Sequence, residues 1–96
     1  MTTANSILHF LRQHQQELAD RFTVRRIGLF GSVVHDAASE RSDVDILVEL
    51  DQPTFDHYMD LKFYLEERLE RPVDLVLADT VKPRLRPIIA SEVAYA

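Results

Sequence analysis

Two aspartates, Asp43 and Asp45, are separated by a single valine in the stretch SDVDILVEL. Residues two apart on a β-strand project from the same face, which would place the two β-carbons about 6–7 Å apart. Carboxylates this close repel each other, and a divalent cation with oxygen ligands relieves the repulsion. Mg²⁺ is the natural candidate, because it takes one or two carboxylates and completes its shell with water and substrate phosphates.

The same pair also fits an ordinary surface role. Asp43 could end a loop while Asp45 points to solvent from an edge strand, and an isolated Asp-x-Asp is more often of this kind. A calcium-binding loop is excluded, because Ile46 and Leu47 follow directly and supply neither oxygen ligands nor a glycine. The pair therefore needs a second feature before it indicates a metal site.

A bare turn, Gly31-Ser32, follows the short apolar segment 26–30. Glycine permits a tight turn, and serine can cap a short helix that we expect to begin near Val33. The start of a helix also presents free backbone N–H groups, which bind phosphate oxygens, with the Ser32 hydroxyl as a further donor. The turn lacks the lysine of a Walker loop and the third glycine of a dinucleotide-binding loop, so neither motif applies.

A third acid, Asp74, lies in the apolar segment Val73 to Leu77, which we predict to be a short buried strand. A phosphate-binding turn, a metal-binding pair and a third carboxylate together suit phosphoryl transfer, in which metal ions bridge carboxylates and phosphate oxygens. Asp74 would then bind a second metal ion or accept the proton of the attacking hydroxyl. The alternative is an isolated acid at a strand end.

Segments of helical and strand periodicity alternate around these residues. We predict an amphipathic helix over 6–22, strands over 26–30, 44–50 and 73–77, a helix that carries Phe55 to Leu69 and ends at Arg71-Pro72, and a last helix near Pro87. Packing is the expected role of four aromatic residues in the 55–69 helix, namely Phe55, Tyr58, Phe63 and Tyr64. The apolar residues of the last helix, among them Ile88 and Ile89, fit either the core or an interface.

Length and composition favour one compact domain over 1–96, since 96 residues with 46% hydrophobic content bury a single core. The net charge of −5 makes attraction to a nucleic-acid backbone weak, because no long basic run offsets it. The chain has no cysteine and no apolar run of about eighteen residues, so we expect neither a disulfide framework nor a membrane span. These features predict a soluble cytoplasmic protein with no membrane partner and no direct nucleic-acid partner.

The motif "GLFGS", ten residues, then "DVDILVE" resembles the signature of the minimal nucleotidyltransferases of the polymerase-β superfamily, in the MntA-like antitoxin branch. The later "RPVDLV" and the closing "KPRLRPIIASEVAYA" resemble that branch too, so the similarity spans most of residues 26–96. The resemblance implies an α+β fold, with a small mixed β-sheet and helices packed against it. It further implies that Gly31 and Ser32 hold the triphosphate, that Asp43 and Asp45 bind Mg²⁺, and that Asp74 is the third catalytic and metal-binding carboxylate.

By the same resemblance, the chain would transfer AMP from ATP to a tyrosine hydroxyl of a HEPN-type ribonuclease toxin. It would bind that toxin as a hetero-oligomer and neutralise it. Two alternatives are an antitoxin that masks the toxin by binding alone, and one subunit of a two-component small-molecule nucleotidyltransferase. Many relatives continue the turn as Ala-Arg-Gly, whereas this chain has Val34, His35 and Asp36, which replace a phosphate-binding arginine with histidine and add a negative charge.

Overall fold

Four strands and four α-helices make up the computed structural model, which describes residues 3–31 and 43–96. In chain order the elements are α1 (Ala4–Gln13), α2 (Gln15–Phe22), β1 (Val24–Phe30), β2 (Val44–Leu50), α3 (Phe55–Leu69), β3 (Val73–Leu77), a 3₁₀ turn (Ala78–Thr80), α4 (Arg86–Glu92) and β4 (Ala94–Tyr95). The strands form one sheet in the order β3-β2-β1-β4, in which β2 and β3 are parallel and the other neighbours antiparallel. This mixed sheet with packed helices confirms the predicted α+β class.

The predicted single helix over 6–22 is wrong in one respect, because the chain divides it into α1 and α2 at His14. The backbone of His14 leaves the helical region, with φ −106° and ψ 14°. Its ring stacks on Phe10 at 4.3 Å between centroids, and its Nδ1 atom lies 2.9 Å from the Phe10 carbonyl oxygen. The His14 backbone N–H also donates to the Phe10 carbonyl, at 3.1 Å, so α1 keeps this last hydrogen bond and the break lies in the backbone angles of His14.

The hydrophobic core lies between helices α1 to α3 and one face of the sheet. Its members come from both layers and are Ile7, Leu8, Leu11, Leu18, Phe22, Ile27, Leu29, Val44, Ile46, Val48, Leu50, Leu61, Tyr64, Leu65, Leu69, Val73 and Leu75. The prediction of packing for the aromatic residues of α3 holds for Tyr58 and Tyr64, but Phe55 and Phe63 are 75% and 58% exposed. No helix within the described ranges is long and apolar enough to cross a membrane.

The opposite face of the sheet is partly covered by the last part of the chain. There the α4 residues Ile89 and Ala90 line a cavity of about 180 Å³ together with Leu47 and Tyr95. Strand β4, which sequence patterns did not predict, approaches closely because Gly28 has no side chain: a β-carbon there would lie 2.8 Å from the Ala94 carbonyl oxygen. We call this side of the sheet, opposite the core, the open face.

Strand β3 lies at one edge of the sheet, and side chains occupy several of its backbone groups. The Tyr58 hydroxyl donates to the Leu75 carbonyl at 2.6 Å, and the Val73 N–H donates to Glu66 Oε2 at 2.9 Å. Exposed edges are sites where strands of other chains can add, and occupied backbone groups oppose such pairing. The edge next to the candidate site is therefore protected against strand addition.

Candidate active site

Asp45 on β2 and Asp74 on β3 occupy paired positions of the parallel strands. The residues flanking each of them along its strand belong to the core, so both aspartates lie on the open face. Burial raises the pKa of the Asp45 carboxyl, and the nearby charges of Asp74 and then Asp43 raise it further. The structure thus brings together all three acids that the sequence singled out.

Asp43 lies directly before β2 and is exposed, as is Asp74. The backbone beside it is fixed, because the Val44 N–H donates to the Pro72 carbonyl at 2.9 Å and joins the start of β2 to the start of β3. Asp43 and Asp74 therefore lie at the same end of the sheet. Asp45 is less exposed than either and is close enough to both for their charges to act on it.

Gly31 follows the last residue of β1 and lies directly against the Asp45 side chain. The preceding residue, Phe30, pairs with Asp45 across β1 and β2, and Gly31 has a φ of +76°, which side-chain-bearing residues rarely adopt. A β-carbon at position 31 would overlap Asp45 Oδ2 and lie 3.1 Å from its carboxyl carbon. The predicted phosphate-binding turn and the predicted metal-binding carboxylate are therefore in contact.

The sequence predicts that the turn and the two acids form one phosphate site. It does not predict the contact between Gly31 and Asp45, which depends on the register between β1 and β2. Ser32, the helix expected from about Val33, and the departure Val34-His35-Asp36 lie outside the described residues.

The three acids carry carboxylates, which are oxygen ligands of the kind that Mg²⁺ binds. In residues 3–31 and 43–96, no group of three or more His, Cys, Asp or Glu side chains is arranged to hold a metal ion. Mg²⁺ needs fewer protein ligands than that, because it commonly binds one or two carboxylates and fills its other positions with water and substrate phosphates. Paired carboxylates that repel each other on an open face fit that pattern, so the donor set is suitable for Mg²⁺.

This chain is similar to known proteins over nearly all of its length. A model of the family "Nucleotidyltransferase domain" matches residues 11–96. The protein adenylyltransferase MntA of Thermococcus cleftensis is 42% identical over 96 residues, which cover 99% of this chain and 97% of the relative. A solved structure provisionally described as a minimal nucleotidyltransferase has a TM-score of 0.74 and 33% identity, covering 91% of this chain and 93% of its own.

A more distant neighbour is a chain in the solved complex of a tri-AMPylated HEPN toxin with an MNT antitoxin from Shewanella oneidensis. Its TM-score is 0.63 at 20% identity, with 92% of this chain and 70% of that chain covered. At that identity the likeness concerns the fold, whereas the family model and the Thermococcus relative extend over nearly all of the sequence. The resemblance drawn from the motifs is confirmed: the chain belongs to the nucleotidyltransferase domain family, in its minimal MntA-like branch, and is a nucleotidyltransferase.

Proposed function

We propose that this chain is an Mg²⁺-dependent antitoxin that transfers AMP from ATP to a tyrosine hydroxyl of a HEPN-type ribonuclease toxin. The observation that carries the proposal is the junction of Gly31, Asp45 and Asp74, where the glycine of a turn suited to phosphate lies against Asp45, which is itself paired with Asp74. The names of the Thermococcus adenylyltransferase and of the AMPylated toxin complex support the reaction and the kind of partner. Because ATP is the proposed donor, we also propose that the protein is located in the cytoplasm.

The roles follow from position. Asp43 and Asp45 would hold Mg²⁺, Asp74 would be the third carboxylate, and Gly31 and Ser32 would bind the triphosphate through backbone N–H groups and a hydroxyl. When bound, Mg²⁺ supplies charge neutralisation on the phosphates and helps align the attacking and leaving oxygens.

The transfer itself is a substitution at the α-phosphorus of ATP. A bond forms between the tyrosine oxygen and that phosphorus, the bond to the bridging oxygen breaks, and pyrophosphate leaves. The hydroxyl proton passes to Asp74, whose exposed side chain is open to a substrate that arrives from solvent. The exposure of Asp43 and Asp74 also leaves the site accessible to a protein as large as a toxin.

Label transfer tests the proposal. The protein is incubated with α-labelled ATP, Mg²⁺ and the product of the adjacent gene as the candidate partner, and that product is analysed for label. We expect label with the wild type and with Asp79→Ala, a matched control in which an exposed acid of the 3₁₀ turn is removed. Asp43→Ala and Asp45→Ala should abolish it, as should Tyr→Phe at the acceptor position of the partner.

Binding without catalysis is a second candidate, favoured by the departure at His35 and Asp36 from the Ala-Arg-Gly of many relatives. Under that alternative, the partner would be silenced equally well by the wild type and by both aspartate variants, with no label transferred. That combined result would overturn the enzymatic proposal.

A further inference from the structure

The segment 80–91 is basic in a chain whose net charge is −5. It contains Lys82, Arg84 and Arg86 and no acidic residue. All three cations are exposed, and the Arg86 Nε donates to the Val81 carbonyl at 3.1 Å, which holds this side chain against the start of α4. The segment is therefore locally positive in an acidic protein, with Asp79 and Glu92 at its borders.

Apolar side chains are exposed among these charges. Leu85 is 41% exposed and Ile88 is 55% exposed, although both are large aliphatic residues. The neighbouring Ile89 turns the other way, because it lines the cavity above Leu47 on the sheet. Helix α4 thus attaches to the sheet by one side and leaves an apolar side uncovered. We define the basic C-terminal surface by Lys82, Arg84, Leu85, Arg86 and Ile88.

This surface lies on the same side of the sheet as the candidate active site. The cavity beneath α4 is lined by Leu47, which is two residues from Asp45 on β2 and shares its face. Two residues of a strand span only about 7 Å. A molecule seated on the basic C-terminal surface would therefore lie on the same side of the sheet as the acids, whereas one seated on α1 would be separated from them by the sheet.

We propose that the basic C-terminal surface is the docking site for the protein acceptor, and that the acceptor meets it with an acidic surface surrounding an apolar centre. The inference rests on the proposed function and extends it by naming the surface that selects the partner. Exposed apolar residues ringed by charges are typical of protein interfaces, in which a desolvated centre gives affinity and the charged rim gives specificity.

A nucleic acid fits this surface less well. Segment 80–91 has no aromatic side chain on which a base could stack, and three cations in a chain of net charge −5 offer limited attraction to a phosphate backbone. The exposed Leu85 and Ile88 would gain nothing from phosphate contacts. A protein acceptor uses both the charges and the apolar residues.

The test compares two variants on the surface with one away from it. Arg84→Glu reverses a charge and Ile88→Ser removes apolar area, while Arg12→Glu makes the same charge change on α1, which packs on the core side of the sheet. Calorimetric titration with the same candidate partner, the product of the adjacent gene, gives affinity independently of catalysis. We expect Kd to rise about tenfold or more for the two surface variants and to stay within about twofold for Arg12→Glu.

Steady-state kinetics and the salt dependence of partner affinity provide a second measurement. With the same partner, KM for the partner should rise in parallel with Kd while kcat at saturating partner and the Kd for ATP do not change. The wild-type affinity should fall as salt increases, and the dependence should be weaker for Arg84→Glu, because one charged contact has been lost.

Three results would overturn the inference. One is unchanged partner affinity in both surface variants, which refutes the docking site even if the wild type labels the partner. Another is an equal loss of affinity in Arg12→Glu, which would indicate a general charge effect. The third is binding of a single-stranded RNA oligonucleotide that exceeds partner binding and disappears in Arg84→Glu. Failure of the proposed function is distinct, since it appears as no label on the partner from the wild type, whatever the affinities.

Discussion

Gly31 and the carboxylate of Asp45 pack directly against each other, with no room for a β-carbon between them. The contact exists because Phe30, the last residue of β1, pairs with Asp45 on β2. It joins the turn that is suited to phosphate with a carboxylate that is suited to a metal ion. Position 31 therefore requires glycine for two reasons: its φ is +76°, and a β-carbon there would overlap Asp45.

Substitution of Gly31→Ala should lower label transfer to the partner by about 100-fold. The new methyl group would displace the Asp45 carboxylate, and a misplacement of about 1 Å in a catalytic group is enough for a loss of that size. The measurement is kcat/KM for the partner at saturating ATP and Mg²⁺, with circular dichroism to confirm that the variant is folded.

A double-mutant cycle separates displacement of Asp45 from backbone strain. Gly31→Ala should cost more stability in the wild-type background than in Asp45→Ala, where the overlapping oxygens are gone. Equal costs in the two backgrounds would show that strain at positive φ, rather than contact with Asp45, explains the variant.

Local patterns predicted the strands over 44–50 and 73–77 with the bounds that the structure shows, and the helix that carries Phe55 to Leu69, although its predicted end at Arg71-Pro72 lies beyond the observed end at Leu69. Their success has local causes: alternation on β2, a Thr54 side chain that accepts the His57 N–H at the start of α3, and Arg71-Pro72 after its end. Strand β4 escaped prediction because two residues carry no periodicity, and its place depends on the absent side chain of Gly28, far away in sequence. Residue types allow the proposal that Asp45 and Asp74 act together, but they do not give the register of β2 and β3 that places the two residues side by side.

Asp45→Asn should stabilise the protein in the absence of metal while it abolishes transfer. Asp45 lies opposite Asp74 in the parallel pair and is partly buried, and like charges that face each other across strands are destabilising. We expect the free energy of unfolding in EDTA at pH 7 to rise by about 0.2–1 kcal/mol. Urea denaturation measures this, with Glu49→Gln as a control: Glu49 is another acid of β2, and it pairs with Arg26 at 3.5 Å.

The expected result for Glu49→Gln is a small loss of stability, because an ion pair is removed instead of a repulsion. If Asp45→Asn also destabilised the metal-free protein, the side chain would be held by favourable contacts and the repulsion between the acids would be unimportant.

Tyr64 and Glu17 should give the protein an acid-sensitive component of stability. The Tyr64 hydroxyl donates to Glu17 Oε1 at 2.5 Å, and this bond is the main cause that lowers the pKa of Glu17, with the nearby Arg21 also contributing. An acid whose pKa is lowered by folding stabilises the folded state above its unfolded pKa, and this contribution disappears as pH falls through the lowered value.

Tyr64→Phe tests this relationship. The variant should be less stable than the wild type at pH 7, and the difference should shrink as the pH falls below the ordinary glutamate range, about 4.3. The measurement is the free energy of unfolding by urea from pH 7 to pH 3. A difference that stays constant over that range would mean that the ionised form of Glu17 contributes nothing through Tyr64.

Glu70→Gly should stabilise the protein, because Glu70 ends α3 with φ 55° and ψ 36° in the left-handed region that glycine adopts without strain. The expected gain is about 0.5–1 kcal/mol, or about 2–8 °C in Tm for a chain of this size.

Thr23 ends α2 with a similar backbone, φ 58° and ψ 33°, but its Oγ1 accepts the Gln52 N–H at 3.1 Å, so Thr23→Gly loses a hydrogen bond as it relieves strain. Thermal unfolding of both variants should show a gain for Glu70→Gly and little gain or a loss for Thr23→Gly. Equal gains would show that the bond between Thr23 and Gln52 adds no stability and that relief of backbone strain alone determines both results.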